Sequence, residues 1–122
     1  MGKRGPQDIV HAYLDAIEAR DFARARTYLS DQNFSFRGPI ASFDNADDFI
    51  VDTVKVGLIL EGIERRKTFV DGNEVCDILN FRTRLSALTT TPVVQLATVA
   101  NGKITSIEVF FDAHAYVKMF EP

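Results

Sequence analysis

The sequence predicts an α+β domain in which N-terminal helices cover one face of an antiparallel sheet. Two observations lead there. Apolar residues recur at helical spacing up to about Leu58 and at two-residue spacing from about Glu61 onward. The pairs Asp71-Gly72 and Asn101-Gly102 separate the alternating runs as tight hairpin turns would. With 122 residues, the chain has the length of one domain, and no repeat, low-complexity run or linker divides it.

Ile9, Val10, Tyr13, Leu14 and Ile17 mark an amphipathic helix from Pro6 to Arg20, with His11, Asp15 and Glu18 turned to solvent. Asp21 is placed to cap a second helix through Phe22, Ala25 and Leu29, which closes a helical hairpin. Asn33 to Arg37, with Phe-Ser-Phe in alternation, reads as a short strand or extended segment ended by the turn at Gly38-Pro39. Asp44 opens a third helix whose apolar stripe is Phe49, Ile50, Val54 and Leu58, with acidic residues at its positive end. Four strands follow as a meander: Ile63 to Val70, Asn73 to Leu85, Pro92 to Ala100 and Lys103 to Phe111. Ser86 to Thr91 forms a longer polar connection, and Ala113 to Phe120 is a short helical tail capped by Asp112.

Fourteen Lys and Arg against 17 Asp and Glu leave a net charge of -3, which gives no electrostatic case for nucleic acid or an anionic membrane. The lone Cys76 forms no internal disulfide, and no Cys/His spacing suits zinc, so neither metal nor cofactor is expected. The polar run Met1 to Pro6 lacks a signal-peptide core, and no apolar run spans a membrane; the expected location is cytoplasmic.

Alternation assigns the faces. Val75, Asp77, Leu79, Phe81, Thr83 and Leu85 face the helices, as do Val93, Gln95, Ala97 and Val99 on the next strand and Ile107, Val109 and Phe111 on the last. The outer face then gathers Ile78, Val94, Leu96 and Phe110, an apolar patch that a homodimer would cover. Arg65, Arg66 and Lys67 suit an edge strand, and Arg82 and Arg84 the outer surface.

Ile9 to Tyr13 followed by Ala19 to Phe22, Tyr28 to Asp31, Phe34 to Phe36, and Asn101 to Ile104 running into Val109 to Asp112 together resemble the nuclear transport factor 2 superfamily, including SnoaL-like polyketide cyclases and ketosteroid isomerases. The resemblance implies a cone-shaped barrel of the cystatin-like kind, open at one end to a hydrophobic ligand, and dimers through the outer sheet face. In ketosteroid isomerase a Tyr and a protonated Asp donate to the substrate oxyanion while a second Asp moves the proton. Tyr13 matches that tyrosine and Gln95 falls near the oxyanion aspartate. The base would fall near Arg37-Gly38, where no carboxylate stands, which argues against a steroid isomerase.

Asp77 is the candidate acid or base, because a carboxylate on an apolar inward face is costly unless it is paired or functional. Its alternative is a solvated or Arg-paired position near the strand start. Tyr13 and Gln95 are candidate donors to a ligand oxygen, or packing residues. Asp112 and His114 form a further candidate proton relay, or a helix cap with an exposed His. Phe34, Phe36, Phe49 and Leu79, with Phe81, Thr83, Val109 and Phe111, would wall the pocket.

Two functions fit these residues. One is a SnoaL-like domain binding a small hydrophobic organic molecule, with cofactor-independent acid-base catalysis of the isomerase, cyclase or hydrolase type on a carbonyl compound. The other is a non-catalytic module for ligand binding, dimerisation or protein association.

Overall fold

Helix α1 (Pro6–Glu18) begins with a proline at its first position, where the missing N–H costs nothing, and buries Ile9, Val10, Tyr13, Leu14, Ala16 and Ile17. In the computed structural model, which describes residues 5–84 and 87–114, it is followed by α2 (Phe22–Thr27). Asp21 caps α2 by accepting from the Arg24 backbone N–H, as its side chain predicts. Helix α1 stops short of Arg20 because that residue turns left-handed, at φ 59°; its guanidinium then donates to the carbonyls of Gly57 and Leu60. These bonds tie the hairpin to the end of α3 (Ala46–Gly57).

The sheet has six strands: the short extended run before Gly38 is β1 (Ser35–Arg37), the unexpected β2 (Ser42–Phe43) follows it, and the meander is β3 (Leu60–Asp71), β4 (Glu74–Arg84), β5 (Leu88–Ala100) and β6 (Lys103–Phe110). Their order is β2-β1-β6-β5-β4-β3. The last four strands form the expected antiparallel meander, and β1 adds to it in parallel, Phe36 opposite Ile107. The sheet is open, with β2 and β3 as its edges. Arg65, Arg66 and Lys67 lie exposed on the β3 edge, where charge discourages pairing with another chain. Register shifts within β3, beside Gly62 and Lys67, and at Thr105 in β6, opposite Thr98 and Val99, bend these strands locally.

Both hairpin turns have two residues. Asn101 and Gly102 both take positive φ, which matches strand twist. At the other turn the pair is Gly72-Asn73, one residue later than expected, because only Gly72 must adopt φ +60°. Strand β5 starts at Leu88, so the connection before it is shorter than the polar composition suggested: Thr89, Thr90 and Thr91 are β-branched and pair with β4.

Inward faces agree with alternation. Val75, Leu79, Val93, Ala97, Val99 and Ile107 belong to the core, and Asp77, Thr83 and Gln95 are buried with them; Ile104, out of phase with Ile107, joins them because the extra residue Thr105 shifts the phase of β6. Leu85 and most of the expected tail helix lie outside the described residues.

Helix α3 departs from its expected stripe. It starts at Ala46 with Asn45, not Asp44, accepting from the Asp48 N–H. It buries Ala46, Phe49, Thr53 and Gly57, while Val54 and Leu58 are exposed with Val51. Phe49 sets this rotation, because its ring stacks on Phe36 at 4.5 Å and packs against Phe34 at 5.3 Å, which turns the 49-53-56 side toward the sheet.

Candidate functional site

Between α1, α3 and the inner sheet face lies a cavity of about 160 Å³, almost wholly apolar. Tyr13, Leu14 and Ile17 supply the α1 side, and Phe49, Asp52, Thr53 and Val56 the α3 side. Phe81, Thr83, Thr91, Val93, Gln95 and Val109 form the sheet wall, and Phe36, the segment 38–41 and Phe111 complete it. Gly38 lies close against the wall: a Cβ there would come within 3.0 Å of the Phe36 ring and 3.1 Å of Val109 Cγ2, so these side chains would have to shift to admit it.

Two hydrogen-bond donors on this surface lack partners. Gln95 is 4% exposed, and its Nε2 meets no acceptor among the described residues. The Tyr13 ring is equally buried, and its hydroxyl likewise makes no hydrogen bond among them; burial pushes its pKa far above the ordinary tyrosine value. Tyr13 therefore stays a neutral O–H donor at physiological pH. A buried donor without an acceptor is costly, so Gln95 carries a folding penalty that an incoming oxygen would relieve.

Asp77 is fully buried, as its face assignment requires, but its carboxylate does not border the cavity. Its Oδ1 accepts from Thr68 Oγ1 at 2.6 Å and meets His11 Nε2 at 2.8 Å, while Oδ2 has no partner. His11 is thus not directed into solvent; its side chain is only 18% exposed. The reason is tertiary. The polar flank of α1 lies along β3, where His11 meets Thr68, Asp15 binds Arg65 at 2.7 Å and Glu18 accepts from the Ile63 N–H at 2.8 Å. Thr68 and Asp77 both approach the same His11 nitrogen, so the trio lacks the relay geometry of a nucleophile triad, in which the two ring nitrogens serve different partners.

Asp77 and Gln95 are direct cross-strand neighbours, and Val109 continues the row on β6. The inner face therefore carries a polar row, Thr68-Asp77-Gln95, of which only Gln95 reaches the cavity.

Of the other expected residues, Phe36, Phe49, Phe81, Thr83, Val109 and Phe111 line the cavity. Phe34 and Leu79 do not; they are buried in the core behind it. Asp112 and His114 are both exposed and away from the cavity, and the Asp112 carboxylate accepts from the His114 backbone N–H at 3.1 Å. This is a local turn rather than a proton relay, because the peptide N–H, not the imidazole, is the partner.

The residue that sequence reasoning missed is Asp52, the only charged side chain bordering the cavity among the described residues. Its signal was present, three residues after Phe49 on the same helical side, but the stripe drawn through Val54 and Leu58 placed it elsewhere. No group of acidic, His or Cys side chains able to hold a metal occurs among the described residues, and no helix among them is long and apolar enough to cross a membrane.

No family model matches the sequence, and no curated protein matches it. Solved structures do. A nuclear transport factor 2-like protein of unknown function from Cytophaga hutchinsonii is 26% identical, with 99% of this chain and 100% of that one covered at a TM-score of 0.81. A protein with a ketosteroid isomerase-like fold from Catenulispora acidiphila, solved with trimethylamine, is 14% identical over 89% of this chain and 88% of that one, at 0.77. A protein described as a SnoaL-like polyketide cyclase from Shewanella denitrificans is 13% identical over 89% and 91%, at 0.76.

Proposed function

We propose that this nuclear transport factor 2-like domain receives a small, largely hydrophobic organic molecule whose oxygen is held by Tyr13 and Gln95. The observation that carries this reading is the buried, unpartnered Gln95 N–H, set together with the neutral Tyr13 O–H on the wall of a cavity otherwise made of hydrocarbon and aromatic rings. Such a surface suits an apolar body with one acceptor group. A carbonyl compound fits best, since it accepts without donating and both protein groups can only donate toward it.

Binding stands ahead of catalysis. Two donors at one oxygen would hold the negative charge that builds on enolisation. The expected proton carrier, Asp77, is occupied by His11 and Thr68 and does not border the cavity. A cofactor-independent isomerase or cyclase step would therefore need another base. Isothermal titration with aryl and alicyclic ketones tests the proposal. A ketone should bind the wild type and lose about tenfold in affinity on Tyr13→Phe and on Gln95→Leu, as loss of one buried hydrogen bond of about 1.5 kcal/mol implies. Equal affinity in all three proteins would refute it.

A homodimer through the outer sheet face is the second element of the proposal. Ile78, Val94 and Phe110 lie in one cross-strand row, with Phe110 53% and Val94 36% exposed and Leu96 beside them. Phe69, 54% exposed on β3, extends the patch opposite Cys76. A monomer in sedimentation at micromolar concentration would remove this element.

A further inference from the structure

We propose that the pocket selects, among such molecules, one that carries a basic nitrogen protonated at neutral pH, with the Asp52 carboxylate as its counter-charge. The inference rests on the reading of the cavity as a ligand pocket and adds to it the charge of the occupant.

Phe49, Asp52, Thr53 and Val56 follow one another at three- and four-residue spacing and share the cavity side of α3. Among the described residues that border the cavity there is no Lys, Arg or His to offset the aspartate. Arg37, on neighbouring β1, is held outside, where it donates to the Phe36 and Phe43 carbonyls and to Asp44 Oδ1 at 2.8 Å. The Asp52 side chain is only 24% exposed, so water screens it less than a free surface carboxylate.

Its ion pair does not cancel it. Lys55 Nζ stands 3.6 Å from Asp52 Oδ1, one turn along the same helix, on a side chain that is 56% exposed. Exposed pairs of this kind contribute little and yield to a competing cation. The rings of Phe36, Phe49, Phe81 and Phe111 also line the cavity, and an aromatic ring attracts an ammonium group placed over its face. An anionic ligand would meet Asp52 without compensation. A neutral ligand would gain nothing from it. A protonated amine on an apolar body gains from both the carboxylate and the rings.

The test uses two ketones of equal size that differ at one atom: 4-(dimethylaminomethyl)acetophenone, cationic at pH 7, and 4-isobutylacetophenone, neutral. Their affinities are measured by isothermal titration for the wild type, Asp52→Asn and Lys55→Gln. The amine-to-neutral affinity ratio should fall by about five- to tenfold in Asp52→Asn, the size expected of one partly desolvated charge contact. In Lys55→Gln, which leaves the carboxylate in place, the ratio should rise. A ratio unchanged in both variants overturns the inference. So does binding of the neutral ketone alone by the wild type, although the pocket reading survives that outcome. If neither ketone binds, the pocket reading itself falls and takes this inference with it.

Discussion

Replacing His11 by alanine removes one of the two groups that, among the described residues, hold a carboxylate with no exposed surface. The 2.8 Å contact to Asp77 Oδ1 is lost, leaving Thr68 as the sole partner. A hydrogen bond to a charged group contributes about 1.5–3 kcal/mol, and breaking a buried pair from one side costs about 3–5 kcal/mol. His11 is 18% exposed, so water can follow the deletion and hold the cost near the lower figures, at about 2 kcal/mol. With about 2.1 cal/mol/K of unfolding entropy per residue over 122 residues, Tm should fall by about 8 °C. Urea denaturation followed by circular dichroism measures the first quantity and a thermal scan the second. The sharper test is a double-mutant cycle. Asp77→Asn should destabilise the wild type yet stabilise His11→Ala, because an unpaired amide is cheaper to bury than an unpaired charge. If His11→Ala stays within about 0.5 kcal/mol of the wild type, or the two changes simply add, Asp77 is not held as described.

Gln95→Leu should raise stability by about 1 kcal/mol in urea, since it removes a buried donor that has no acceptor; a loss of more than that amount would mean that Nε2 is satisfied. Tyr13 makes stability pH-dependent at the alkaline end. Its folded pKa is raised, so its contribution is complete below about pH 10 and is lost as pH climbs further, when the unfolded chain ionises first. Between pH 9 and 11 the wild type should lose about 1.4 kcal/mol more than Tyr13→Phe, and parallel loss in both would contradict the burial of this hydroxyl. Gly38→Ala should leave the fold intact but weaken ketone binding, as its methyl displaces the Phe36 ring and Val109 by a few tenths of an ångström; unchanged affinity in titration would count against that wall.

Local pattern alone determined much of this protein. The apolar face of α1, the cap at Asp21, the Asn101-Gly102 turn and the inward sets of β4, β5 and β6 were all legible, because periodicity reports directly which side of an element is buried. Tyr13 and Gln95 were legible for the same reason: each is a polar group in phase with an apolar face. The outline of the resemblance to nuclear transport factor 2-like proteins was readable too, from four short stretches spread along the chain.

Only the tertiary structure decided which buried groups meet. Strand β2 has two residues, too few for alternation to show, and β1, whose short alternating run was readable, is held in place by parallel pairing with β6 some seventy positions away. His11 and Asp77 are 66 residues apart and come together because β3 runs beside the polar flank of α1. Asp52 faces the cavity because a cluster of phenylalanines fixes the rotation of α3, against the stripe that its valines and leucine suggest. Burial is a property of one residue and its immediate neighbours, so the sequence carries it; contact is a property of two chain segments, and sheet order, bulges and helix rotation set it only when the chain has closed on itself.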